Sequence, residues 1–485
     1  MQKSLLFPKI FHIVVGISVL ILFPTPAKAS SQFGQTLVRD GFAASGSLSS
    51  ATKNGWSGAV AISPVGQPDP TRGSQLNDVA VNANGLAVAA WDQFTYATGG
   101  SYTVGVAVQS GGRWSAPFTI SGTTGFSMDP RVAVGADGTM AVSWVYQDAT
   151  LMQQKMQVAV KSPSATTWAT TTLAQGPVGG VAITGFVPVG VDANGNVTAA
   201  WTLWDGTRHV VQAATMLKGN PWSAPITLSG PTTDGLYLSL AVNPRGDAAV
   251  AYTISPYASA GTGTFAQYLF RSGPTGAWSV PLTVSETMQS SVGYITNPQV
   301  ALDRNGFATV IYFGYGVEAT RQLGNGTWTV PLTVLQAPNQ VSSFQSIDLA
   351  LDQNGNAIVG ASIFDATINV DRASAWVTLG SPTGNWSAPQ RLTDPSAQVD
   401  AYATRVAMSP DGSLVMVGWI DHYHGIVQVA NLTTTGWNIK TIGRGTAFSS
   451  FQEVLGLDAS ASNIARAIWK NAKSGTQTMA ASYGK

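Results

Sequence analysis

Two motifs that recur in step about every 54 residues, a hairpin-type turn in most copies of the first, and a stray copy of the second near the N-terminus predict the fold class. It is all-β: an eight-bladed β-propeller of four-stranded antiparallel blades. The first motif reads apolar-small-apolar, a short polar stretch usually holding Asn-Gly or Asp-Gly, then alternating apolar residues ending on an aromatic. It starts at Val79, Val132, Val189, Leu240, Val300, Leu349, Val406 and, in weaker form, Leu455. These copies define units one to eight. The second motif is a Trp that opens a short strand, as in Gly112 to Ser121, and it stands at Trp56, Trp114, Trp168, Trp222, Trp278, Trp328, Trp386 and Trp437. A β-sandwich does not impose a fixed period, whereas a blade does.

Ahead of the repeats, Lys3 and Lys9 precede an apolar run from Ile10 to Phe23 and the small-x-small triplet Ala27-Lys28-Ala29. That order reads as a secretory signal over 1–29, so the protein is expected to be exported, to the periplasm or beyond the cell. The run is short for a membrane span, and no later segment supplies one. Residues 30–54, rich in Ser, Gly and Ala without strand alternation, read as a flexible leader, and 55–485 as the propeller. The chain has no cysteine, so no disulfide framework holds it together and stability must come from burial. Its 25 Lys and Arg, less the three in the signal, face 24 Asp and Glu with no basic run, which argues against nucleic acid or an anionic membrane as partner.

Each unit divides into strands A to D. A is the apolar-small-apolar segment, B follows the turn, C is a stretch such as Thr103 to Gln109, and D begins at the Trp. Asn-Gly and Asp-Gly accept the positive φ of a tight hairpin, so A and B should be antiparallel neighbours. The middle of strand A reads Ala80, Ala133, Gly190, Ala241, Ala301, Ala350, Ala407 and Gly456, small throughout as converging inner strands require. Unit eight ends after strand C. The Trp56 segment is therefore expected to supply its D strand and close the ring, removing an exposed edge.

The repeated Trp residues are expected to wedge between blades rather than to bind ligand. The Asp-x-Asn-Gly-Asn turns place Gly too early for a calcium loop and lack its closing Glu. Strand direction puts the A–B and C–D turns on one face and the longer B–C and D–A loops on the other, and long loops on a rigid scaffold commonly carry function. The B–C segments supply the candidate ligand-binding residues Asp92, Tyr96, Tyr146, Asp148, Trp204, Asp205, His209, Asp421, His422, Tyr423 and His424. A lone His-x-His at His422 and His424 does not make a metal site, and no phosphate loop, dinucleotide fingerprint or nucleophile elbow is present, so neither metal nor cofactor is expected.

The repeated units resemble those of secreted bacterial β-propeller proteins, a class that includes sialidase-like enzymes and propeller lectins. The resemblance spans nearly all of 55–485 and implies the fold. Asp boxes of the sialidase form Ser-x-Asp-x-Gly-x-Thr-Trp are absent, and neither an arginine triad nor a Tyr-Glu pair is assignable, so the enzymatic implication does not carry over. The resulting expectation is a monomeric, non-catalytic recognition propeller that binds carbohydrate by avidity among modest sites. The alternatives are a scaffold for a cell-surface protein and, third, a glycoside-active hydrolase using Asp92, Asp148, Asp205 or Asp421.

Overall fold

A computed structural model describes residues 55–65, 77–95, 100–148, 150–177, 187–256, 263–286, 295–336, 344–364, 372–444, 455–460, 464–471 and 477–484. The signal, the leader and Tyr96 fall outside these residues. Among the described residues every regular element is a β-strand, and no helix is long and apolar enough to cross a membrane.

The strands form six four-stranded sheets and one of nine strands, in which two blade-like groups are joined by a single parallel bridge, Tyr102 to Phe126. Unit three shows the pattern: Val189–Val191, Val197–Trp204, His209–Met216 and Ile226–Thr227 lie side by side in chain order, all antiparallel. This is the meander of a propeller blade. Its A–B turn is held by Asp192, whose Oδ1 accepts the N–H groups of Asn194 and Asn196 at 2.9 Å each. Gly195 supplies the positive φ of 83° that this turn requires.

Burial lies between the sheets. Trp91, Trp144, Trp201, Trp419 and Trp469, the aromatics that end the first motif in five units, are at most 1% exposed. Each removes roughly 150–250 Å² from water, worth about 4–6 kcal/mol before ordering costs. The D-strand Trp residues pack backwards onto the preceding unit. Trp222 joins the cluster of Val158 and Val160, and Trp328 meets the Tyr268 ring at 4.8 Å. Trp437 donates its Nε1 hydrogen to Gln390 at 2.9 Å. Those contacts fit the wedging role.

The N-terminal strand Val60–Ala61 pairs antiparallel with Gln477–Tyr483, Val60 opposite Ala480 and Ala61 opposite Met479. Ser57 N–H donates to Ser482 O at 2.7 Å, and Ile62 N–H to Thr478 O at 2.9 Å. Ile62 shares a cluster with Val79 and Trp91 of unit one and Ile468 and Ala480 of unit eight.

Strand A is the edge of each four-stranded blade, apart from the single bridge at Phe126, so about half of its N–H groups have no ladder partner. Side chains from the preceding unit satisfy several of them. Asp78 accepts from Val132 N–H at 2.9 Å, Ser239 from Val300 at 3.1 Å, and Asp348 from Val406 at 2.9 Å. Asp458 does the same for Val81 at 2.8 Å, linking unit eight to unit one. Here the sequence reading needs correction. Asp458 pairs across the hairpin with Arg466, three residues before Trp469, just as Ala80 pairs with Val88, three before Trp91. Asp458, not Gly456, holds the strand-A midpoint of unit eight. The small-residue rule therefore fails there, because the weak copy displaces its carboxylate by two positions and reaches the next unit from the midpoint.

Candidate functional site

The densest chemistry on the B–C and D–A face belongs to unit seven and its junction with unit six. Strand Val415–Asp421 turns at 422–425 into Ile426–Thr433. Asp421 is 1% exposed, and its Oδ1 accepts N–H groups from Asp400 at 3.2 Å, Tyr423 at 3.0 Å and His424 at 3.3 Å. The same carboxylate therefore shapes the turn and leaves Oδ2 for the His424 Nδ1, 2.6 Å away. A carboxylate that is ionised can only accept, so Nδ1 is the donor of this contact, and in the neutral imidazole the Nε2 lone pair is then left free on a side chain that is 46% exposed. A buried acid orienting an exposed imidazole is an arrangement that can transfer a proton.

His422 faces elsewhere. It is 4% exposed, donates its N–H to Asp400 O at 2.9 Å, and stacks on Tyr402 with centroids 4.5 Å apart and planes 11° off parallel. Burial pulls its pKa below the ordinary value, keeping it neutral. The two imidazoles of the His-x-His thus do different jobs, and among the described residues no group of three or more His, Cys, Asp or Glu could hold a metal. Tyr423 meets the His424 ring edge-on at 5.0 Å, and the Arg372 guanidinium lies 4.3 Å from the Tyr423 ring centre.

Asp421 and His424 open onto a groove of about 420 Å³ shared with unit six, with Leu392, Val399, Ile426 and Ile439 as apolar lining. Unit six also contributes Asp394, an exposed carboxylate. The Ser396 hydroxyl and N–H, at 2.7 and 2.8 Å, hold its pKa below the ordinary carboxylate range.

The other sequence candidates are scattered. Asp92 is not a loop residue: it is fully buried in strand Ala87–Thr95 opposite Val104, and its backbone oxygen accepts from Lys470 Nζ at 2.8 Å. The B strand continues past its aromatic, which carries Asp92 into the sheet. Tyr146 is likewise a strand residue, 5.7 Å beneath Lys155 Nζ. Asp148 folds its own turn by accepting from Thr150 and Leu151, as Asp205 does with Thr207 and Arg208. Trp204 pairs with His209 across the hairpin, the rings 4.9 Å apart, and His209 Nδ1 lies 3.2 Å from Asp234.

Sequence reasoning missed Asp394, Asp400, Tyr402 and Arg372, which come from loops and strand ends with no motif. It also missed the strand-A carboxylates, although a signal was present. The residue just before the apolar-small-apolar triplet is Asp78, Arg131, Pro188, Ser239, Gln299, Asp348 and Arg405 in units one to seven, polar in six of them. Burial raises the pKa of Asp78, offset chiefly by Arg131, and of Asp348, offset chiefly by Arg405. Asp458 is pushed up to about 7 by burial, against which only its bonds from the Val81 and Ala459 N–H groups act.

No protein-family model and no curated protein matches the sequence. Solved structures do align with the fold. An α-L-arabinanase of Penicillium chrysogenum complexed with arabinobiose aligns at 14% identity and a TM-score of 0.41, over 64% of this chain and 94% of that one. An ulvan lyase of a polysaccharide lyase family aligns at 12% and 0.47, over 80% and 96%. An α-L-arabinofuranosidase from Fusarium graminearum aligns at 10% and 0.42, over 90% and 98%. The expectation of a non-catalytic recognition propeller, and of no enzymatic activity, is corrected here: these proteins are enzymes that act on carbohydrates. At such identities and scores the likeness transfers neither residues nor substrate.

Proposed function

We propose that this chain is a carbohydrate-active enzyme that cleaves a polysaccharide, with His424 as its proton-transfer group. The observation that carries the reading is the 2.6 Å pairing of buried Asp421 with exposed His424 on a groove that also holds the ionised Asp394. Asp421 fixes the imidazole tautomer so that Nε2 faces outward as a base, and it stabilises the imidazolium once a proton is taken. Asp394 supplies fixed negative charge for a developing positive ring or for orienting water. The apolar lining suits the hydrogen-bearing faces of a sugar ring, and the groove volume falls in the range of small-ligand sites.

The scaffold in this reading is an eight-bladed propeller closed by the N-terminal strand. It is supported by the Val60–Ala480 pairing, by the Asp458 to Val81 bond, and by the electrostatic reach of Arg405 in unit seven to Asp78 in unit one. Export completes the proposal, supported by the order of charge, apolar run and small residues over 1–29.

The test is turnover of neutral and acidic polysaccharides by the purified protein, followed by reducing-end release and by the ultraviolet absorbance of unsaturated products. His424→Ala is expected to lower kcat by about 10²–10⁴-fold with an unchanged circular dichroism spectrum. Full activity of that folded variant, or no turnover of any polysaccharide, would refute the assignment.

A further inference from the structure

Unit three holds an aromatic residue that joins no hydrophobic cluster among the described residues. Trp201 is fully buried and donates its Nε1 hydrogen to Gln212 at 3.1 Å. Trp204, three residues later in the same strand, therefore faces the other side of the sheet; it is half-buried and joins none of the hydrophobic clusters of the described residues. It stands at the mouth of the B–C hairpin, on the same face of the fold as the His424 turn.

That indole is nevertheless packed on one side against a positioned neighbour. Its cross-strand neighbour His209 packs against it at 4.9 Å, and His209 is fixed in turn by Asp234 of unit four, which accepts from its backbone N–H at 2.6 Å and contacts Nδ1 at 3.2 Å. The next residues are pinned as well. Asp205 accepts from Thr207 N–H and Oγ1 at 2.9 and 2.7 Å and from Arg208 N–H at 3.0 Å, and its Oδ2 lies 3.5 Å from Arg208 Nε. A half-exposed indole packed in this way beside a polar rim of Asp205, Thr207 and Arg208 loses little entropy when it captures a flat apolar face whose edges carry hydroxyl groups. A pyranose or furanose ring has that chemistry.

We propose that Trp204 is a stacking platform for a sugar residue of the polymer, a subsite separate from the Asp421–His424 groove. This deepens the enzymatic reading and rests on it for the identity of the ligand as carbohydrate. The two sites stand four units apart, so a long chain engages both and a short oligosaccharide engages one.

The experiment uses the full chain and two readouts. Affinity electrophoresis in gels cast with arabinan, xylan, pectin or alginate reports binding without turnover, and KM on polymer against KM on its short oligosaccharides reports the platform during turnover. Trp204→Ala is expected to lose about three- to tenfold in retardation and to raise KM on polymer by the same factor, with kcat and the short-substrate KM unchanged. Trp204→Phe should recover most of the retardation, which a mere folding role would not require. His424→Ala should be retarded like the parent. If retardation depends on Trp204 but no polysaccharide is turned over, the platform stands and the enzymatic reading falls. If turnover depends on His424 while folded Trp204→Ala keeps both the retardation and the KM of the parent, the platform is overturned. Absence of retardation in all four gels also overturns it.

Discussion

Asp458 offers the sharpest test of how the unit-eight edge is held to unit one. Its carboxylate ionises near 3.8 in the unfolded chain and is pushed up to about 7 by burial in the fold. The folded protein therefore holds this proton more tightly than the unfolded one. The associated stability is fully present below about pH 4 and is lost as pH rises towards and through about 7. The difference is worth at most about 4 kcal/mol, and partial solvation at this half-buried site reduces it to an expected 1–3 kcal/mol, roughly. Asp458→Asn keeps an oxygen to accept the Val81 N–H but cannot ionise. Its unfolding free energy should match the parent near about pH 3.5, below the unfolded pKa, and exceed it by about 1–3 kcal/mol near about pH 8.5. Asp458→Ala leaves the Val81 N–H without its acceptor and should cost about 1–2 kcal/mol across that range. Urea denaturation followed by tryptophan fluorescence at both pH values measures all three proteins. An identical pH slope in parent and Asn variant, or an Asn variant as weak as the Ala variant throughout, would refute the reasoning.

Further outcomes follow from other parts of the fold. A truncation that removes residues 30–50 should melt like the parent, whereas removal through Ile62 strips the strand opposite Ala480 and should lower the melting temperature by several degrees, roughly; equal melting would count against closure by that strand. Asp352, 3% exposed, accepts N–H groups from Asn354 and Asn356, so Asp352→Ala should cost about 1–3 kcal/mol in denaturant titrations without changing KM. His422 is held neutral by burial, so its share of stability is present above its ordinary pKa and is lost as pH falls below it; His422→Phe should flatten the acid limb of a melting-temperature profile. Asp421→Asn should lower kcat by about 10²-fold or more while KM changes little, because the amide no longer stabilises an imidazolium.

The scaffold was legible wherever the sequence repeats itself. The Asn-Gly turn at Gly195, the tryptophan wedges and the pairing partner of the Trp56 segment could all be read because each is local or recurs. The dyad was half legible: Asp421 and His424 stand three residues apart, but Arg372, Asp394 and Asp400 are brought beside them by the neighbouring unit and by the loop between units. Asp92 was misplaced because strand length is set by pairing with Val104 rather than by the aromatic that ends the motif. Asp458 was hidden by a weak copy without the Asn-Gly turn, which aligned on Gly456 and concealed the carboxylate two residues on. The proposed role of His424 was not legible, since the proposal rests on the burial of Asp421, and burial is a property of the packed sheets.

The pairing of the first described strand with the last bears on how the chain is made. Ser57 Oγ and Ser482 N–H form a bond between residues 425 positions apart, so that contact has no partner until nearly the whole chain has been synthesised. Bringing such distant segments together costs about 5 kcal/mol of loop entropy if the intervening chain is unfolded, and far less once the blades between them have stacked. Assembly is then expected to be directional, with the docking of the last hairpin against the Val60 segment as the expected slow step. A slow refolding phase sensitive to Ala480 and insensitive to the middle units would be the kinetic trace of that order.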